Sequence, residues 1–217
     1  ETVNGSVFIV CDGMGGHAGG AEAAQIVVET IKEYLSGLNI PDARIALRDA
    51  LLTANQAVVR YAEENPALKG MGATCVAILI RGLNVYYAHV GDSRIYLFTK
   101  RKLQRLTKDH SLVQSLVDLG SISEEEAEKH PRRNEITKVL GLANLKSPTI
   151  SETPLAMRKG DSLLLCSDGL TSVVGDSRIE RVLKKNDNIQ SQANKLIEMA
   201  NRAGGPDNIT VQVIRFR

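Results

Sequence analysis

Tryptophan is absent from this 217-residue chain, and phenylalanine and tyrosine bring aromatics to only 4%. A groove that stacks nucleobases on rings needs more than that. Lys+Arg 27 against Asp+Glu 25 leaves a formal charge of +2, with the basic residues scattered along the chain. No nucleic-acid partner is therefore expected. Long hydrophobic runs are lacking too: none approaches the roughly 18–20 residues of a membrane span, and no signal peptide opens the sequence. Cysteine is scarce and odd in number. Cys11, Cys75 and Cys166 each fall in an apolar, strand-like run without metal-ligand spacing, which predicts reduced core thiols in a cytoplasmic protein. No linker, low-complexity tract or repeat breaks the chain, and 43% hydrophobic residues suffice for one sizeable core. One domain over residues 1–217 is expected.

Short runs rich in β-branched residues predict strands over 7–11, 74–80, 85–90, 94–98, 162–166 and 209–216. Apolar residues at helical spacing form one stripe through Ala24, Val27, Val28, Ile31, Leu35 and Leu38. A second runs through Ala46, Ala50, Ala54, Val58 and Tyr61. A third runs through Ala193, Leu196, Ile197 and Ala200 and stops at Gly204-Gly205-Pro206. Ser123 and Glu126 make a capping-box pattern for a short helix ending before Pro131. Strands and helices come in blocks rather than alternating, which favours α+β over a doubly wound parallel sheet.

Four acids stand out by position. Asp12, Asp92 and Asp168 each follow a predicted strand, and Asp207 precedes one; each touches a glycine or proline turn. Singly, each fits ordinary turn chemistry, which is the reading for Asp161 in Lys159-Gly160-Asp161. Together they ask for something positive, because two carboxylates about 5 Å apart repel by ~3 kcal/mol at an effective dielectric near 20. Oxygen-only donors favour a hard cation such as magnesium or manganese over zinc. The glycine-rich stretch after Asp12 is not a phosphate loop of the Gly-Lys-Ser/Thr type, since it leads into Ala21-Glu22-Ala23. The alternating oxygen ligands of an EF-hand are also missing.

The segments VCDGMGGHAGG, GATCVAILI, AHVGDSRIYL, LTKDHSLVQSLVDLGSISEEEAEKHPRRNEITKVLG, GDSLLLCSDGLT and GGPDNITV follow one another along the chain. In order and spacing they resemble the metal-dependent protein phosphatases of type 2C, most of all the small bacterial enzymes that oppose serine/threonine kinases. The resemblance implies two packed antiparallel β-sheets flanked by α-helices on both outer faces. It implies that Asp12 bridges two Mn2+ or Mg2+ ions, that the Gly13 carbonyl binds one of them, and that Asp168 and Asp207 complete the other's set. Asp92 would join Asp168 in holding a third, weaker ion, and residues 111–138 would form a mobile flap beside the site. A water bridging two metal ions would then attack the phosphorus of phosphoserine or phosphothreonine in line. Phosphorylated proteins, a serine/threonine kinase among them, are the implied partners, and a monomer is expected.

The resemblance is incomplete in two places. Where many eukaryotic relatives carry a histidine after the Asp-Gly pair, this chain has Met14, which leaves His17 or a water as proton donor to the leaving alkoxide. The arginine that grips substrate phosphate and the Asn-Glu-Asp or Asn-Gln-Asp element expected ahead of the first motif are not found between Glu1 and Val7. Without them phosphate binding loses a bidentate contact and the paired-metal site is weaker. The competing expectation is a weakly active or inert member that binds phosphoproteins as a regulator. Ser93 and Ser167 are read as strand-end hydrogen-bonding residues rather than nucleophiles. His89 is read as a packed histidine, and His110 and His130 as structural.

Overall fold

The computed structural model describes residues 1–185 and 187–217, with every side chain among them except that of His17. Two antiparallel sheets form its centre. In the first, β1 (Ser6–Met14), β2 (Gly72–Arg81) and β3 (Asn84–Val90) lie side by side. Two residues of β6 (Thr149–Ile150) and two of β7 (Leu155–Ala156) pair along the far side of β3. In the second the order is β5 (Lys102–Arg105), β4 (Arg94–Thr99), β8 (Ser162–Cys166), β9 (Val211–Arg215).

Alternation along the strands produces the layers. On β2, Cys75, Ala77 and Leu79 face one way and pack with Ala23, Val27, Ile31 and Leu35 of α1 (Gly16–Gly37) and Ala46, Ala50 and Ala54 of α2 (Ala43–Glu64). Val76 and Ile78 face the other way and meet Ile95, Leu97, Leu163 and Leu165 of the second sheet. On β8 the complementary residues Leu164 and Cys166 pack on helices. These are α5 (Asp168–Thr171), α6 (Asp176–Leu183) and α7 (Ile189–Arg202), through Leu170, Ile179, Val182 and Leu196. The result is helix, sheet, sheet, helix, as the resemblance implied. Burial of each Leu, Ile or Val contributes about 1.5–3 kcal/mol relative to exposure, and most of these side chains are wholly buried.

The first stripe forms its helix as expected, but α1 begins eight residues earlier than the apolar spacing indicates, inside the glycines. Helix and strand meet there at backbone distance. A Cβ on Gly13 would overlap the Gly20 carbonyl, and one on Gly20 would lie 2.7 Å from the Gly13 oxygen. Glycine at both positions lets β1 fold straight back into α1. Between β5 and β6 the chain forms α3 (Leu112–Asp118) and α4 (Glu124–Lys129). The capping box at Ser123 and Glu126 is fully formed. Cys11, Cys75 and Cys166 are free thiols, and burial pushes the Cys166 thiol up to about 12. No helix among the described residues is long and apolar enough to cross a membrane.

Candidate metal centre

The four acids come from four separate places. Asp12 lies inside β1 opposite Thr74, not after the strand's end, because the ladder with β2 continues through Met14. Asp92 stands in the link of residues 91–93 that carries the chain from β3 in one sheet to β4 in the other. Asp168 opens α5 directly after β8, and Asp207 lies in the loop between α7 and β9.

Hydrogen bonds to neighbouring backbone join these places in pairs. The Asp12 amide donates to Thr74 Oγ1 at 3.2 Å, and that hydroxyl shares a buried 2.7 Å hydrogen bond with Ser93. One threonine thus joins the Asp12 strand to the Asp92 link. Gly91 makes room for it: its φ is 101°, and a Cβ there would lie 2.6 Å from the Thr74 Cβ. On the other side the Ser167 hydroxyl donates to the Asn208 carbonyl and accepts the Thr210 amide, both at 3.1 Å. The residue before Asp168 therefore holds the residues after Asp207. Both serines do the hydrogen bonding read from the sequence.

The carboxyl groups of Asp12 and Asp168 lie close enough for each to shift the other's ionisation. Burial raises the Asp12 pKa to about 7, and the charges of Asp168, Asp207 and Asp92 add to it. Burial also raises Asp92 to about 7, with Asp168 and Asp109 contributing. Asp168 is raised as well, first by burial and then by Asp207, while Asp12, the Gly169 amide and Arg94 pull it back. Carboxylates that hold protons near neutrality to relieve mutual repulsion are a set that a cation would neutralise in their place. The donors are all oxygen, as hard divalent ions prefer. Among the described residues no three His, Cys, Asp or Glu side chains close on a single point. A hard ion here would complete its shell with backbone and solvent oxygens, as magnesium commonly does.

Comparison with known proteins decides what kind of acid cluster this is. The family model for protein phosphatase 2C matches residues 1–208. The serine/threonine phosphatase stp of Listeria monocytogenes is 39% identical over 215 residues, covering 97% of this chain and 84% of that protein. The chain belongs to the protein phosphatase 2C family. Among solved structures, the Mycobacterium tuberculosis serine/threonine phosphatase PstP/Ppp superposes with a TM-score of 0.88 at 40% identity, covering 95% of this chain and 86% of that one. The catalytic domain of PstP in complex with two manganese ions gives 0.85 at 39% identity, covering 95% and 85%.

In this 2C phosphatase a cavity of about 800 Å³ opens beside the acids. Asp92 and Asp168 line one side, and Gln114, Glu124 and Glu128 of α3 and α4 line the other. The His17 side chain, read from the sequence as a proton donor, lies outside the described residues. His89 and His110 stack with ring centroids 4.6 Å apart. His89 Nε2 bonds the Lys108 carbonyl at 2.8 Å, and His110 Nδ1 accepts the Gly91 amide at 3.1 Å. Burial lowers both pKa values, that of His110 to about 4, so both rings are neutral packing groups. His130 Nδ1 accepts the Arg132 amide just after α4. Asp161 accepts the Arg158 amide in its turn, as read.

Three residues around the centre escape a reading of the sequence: Thr74, Arg94 and Asp109. Thr74 is hidden in an otherwise apolar strand. Arg94 gives a faint signal, a charge directly before the apolar run from Ile95 to Phe98. Its partner Asp109 stands fifteen residues on, at a spacing no local pattern betrays.

Proposed function

We propose that the chain hydrolyses phosphoserine and phosphothreonine in proteins with the help of divalent metal ions held by Asp12, the Gly13 carbonyl, Asp168 and Asp207. Asp92 with Asp168 would hold a further, weaker ion. The observation that carries this reading is the gathering of four acids from β1, the β3–β4 link, the start of α5 and the α7–β9 loop, with Asp12 and Asp92 raised by burial and by neighbouring acids, within a family of phosphatases. Bound manganese or magnesium supplies Lewis acidity there, lowering the pKa of a water toward neutrality and offsetting charge on the phosphoryl oxygens.

The chain's own residues prepare the place. Asp12 would hold a cation as its carboxylate, and its amide is fixed by Thr74. Ser167 keeps Asp168 and the Asp207 loop in register. No side-chain nucleophile is required. Met14 is 42% exposed beside Asp12 and carries no transferable proton, so the departing alkoxide takes its proton from His17 or from water. Substrates on this reading are phosphoproteins, including a serine/threonine kinase whose action the enzyme opposes. It would act as a cytoplasmic monomer, with residues 111–138 as a flap over the cavity.

The experiment is hydrolysis of a phosphothreonine peptide with added Mn2+, with Mg2+ and with chelator. Metal-stimulated turnover that falls at least a hundredfold in Asp207→Asn at limiting manganese supports the assignment. Turnover indifferent to metal would sink it.

A further inference from the structure

We propose that Arg94, gripped by Asp109, is a positioning residue of this site: a fixed, half-buried positive charge that limits how tightly the Asp92–Asp168 end holds a divalent cation. The inference rests on the metal-phosphatase reading above. Arg94 donates through Nε at 3.1 Å and Nη2 at 2.7 Å to the Asp109 carboxylate. Its Nη1 reaches Tyr96 Oη at 3.3 Å, and that hydroxyl donates to Asp176 at 2.8 Å. The Arg94 side chain is 22% exposed and that of Asp109 11%, so the guanidinium is half-buried and held in place by its partners. Burial works against its charge, but Tyr96 and Asp109 more than offset that, and Arg94 stays protonated.

Asp109 does not cancel this charge alone, because a second arginine claims it. Arg105 Nη2 lies 3.1 Å from Asp109 Oδ1 and 3.3 Å from Gln114 Oε1 in α3. Two guanidinium groups thus share Asp109, and Asp176 is reached only through Tyr96. Arg94 lines the same cavity as Asp92 and Asp168. A divalent cation entering between those acids feels twice the repulsion that a single charge would. Asp109 tempers it. The arrangement holds the acids' grip on the ion loose, which suits an ion that must exchange.

The two partners therefore have opposite signs of effect, which mere damage to the fold would not produce. Titration of Mn2+ into the full chain by calorimetry reads it. Asp109→Asn, which leaves Arg94 less balanced, should weaken the Asp92-dependent binding event roughly tenfold, and Arg94→Gln should tighten it by a similar factor. Arg94→Lys keeps the charge and should stay within about twofold of wild type. If Arg94→Gln does not fold, the contrast between Arg94→Lys and Asp109→Asn carries the test. Shifts in the same direction, or none, overturn the proposal. Asp92→Asn separates the two readings. If it leaves the isotherm unchanged, the assignment of Asp92 as a metal ligand fails. If it removes a binding event that Arg94 and Asp109 do not tune in opposite senses, only the present inference fails.

Discussion

Asp92 shows at a single residue what the centre asks of its protein. Its carboxyl, ordinarily near 3.8, is raised to about 7 by burial and by Asp168. In the metal-free chain protonation of Asp92 thus favours the folded state. That contribution is complete below pH ~4 and is lost as pH rises through ~7. With chelator present, the thermal midpoint should fall between pH 5 and pH 8. Asp92→Asn, which has nothing to titrate, should fall less over the same interval. Mn2+ added at pH 8 should restore the wild type more fully than the variant, which keeps Asp12, Asp168 and Asp207. Parallel falls in both proteins would show that Asp92 is not under this strain.

At the scale of elements, the centre depends on how β1, β2 and the link between β3 and β4 are pinned together. Thr74 does this with one hydroxyl, taking the Asp12 amide and bonding Ser93. Thr74→Val keeps the shape and leaves the Ser93 hydroxyl buried without that partner. It should cost about 1–3 kcal/mol in urea denaturation and weaken Mn2+ binding as well. An effect on stability with unchanged metal affinity would show that Thr74 holds the sheet but not the site.

The same elements show what a sequence can express. Residues 162–166 form β8 at its predicted bounds, and the capping box at Ser123 starts α4, because burial period and cap chemistry are local. Residues 102–105 were not read as a strand, although they form β5. They are a charged edge whose outer side faces no further strand of the sheet, so they carry no apolar alternation. Helix α3 has apolar residues at 112, 113, 116 and 117, but it runs for only seven residues and buries none of them, so its repeat is too short to mark a helix. The acids were legible as residues near strand ends beside glycine or proline turns, although Asp12 lies inside β1. The network of Thr74, Arg94 and Asp109 was not, since each hydrogen bond joins residues whose neighbourhood in sequence says nothing of the partner.

For the whole molecule, two sheets meet face to face through Val10, Val76, Ile95 and Leu165, with helices on their outer faces. The acids gather where β1, the link from β3 to β4, the end of β8 and the α7–β9 loop converge. A cation bound there ties the two sheets together and should stabilise the fold as a ligand does. Mn2+ at a hundred times its dissociation constant should add about 2.7 kcal/mol to unfolding, and Asp12→Asn should abolish most of that gain. The account's central claim is that these carboxylates act by holding metal for phosphate hydrolysis. The most direct test is turnover of a phosphothreonine peptide as a function of Mn2+ for the wild type and Asp12→Asn. The account predicts saturable stimulation in the wild type and a loss of at least about a hundredfold in the variant, as for removal of a major electrostatic element of a site. Equal turnover in the two proteins, or wild-type turnover that persists in chelator, would contradict it.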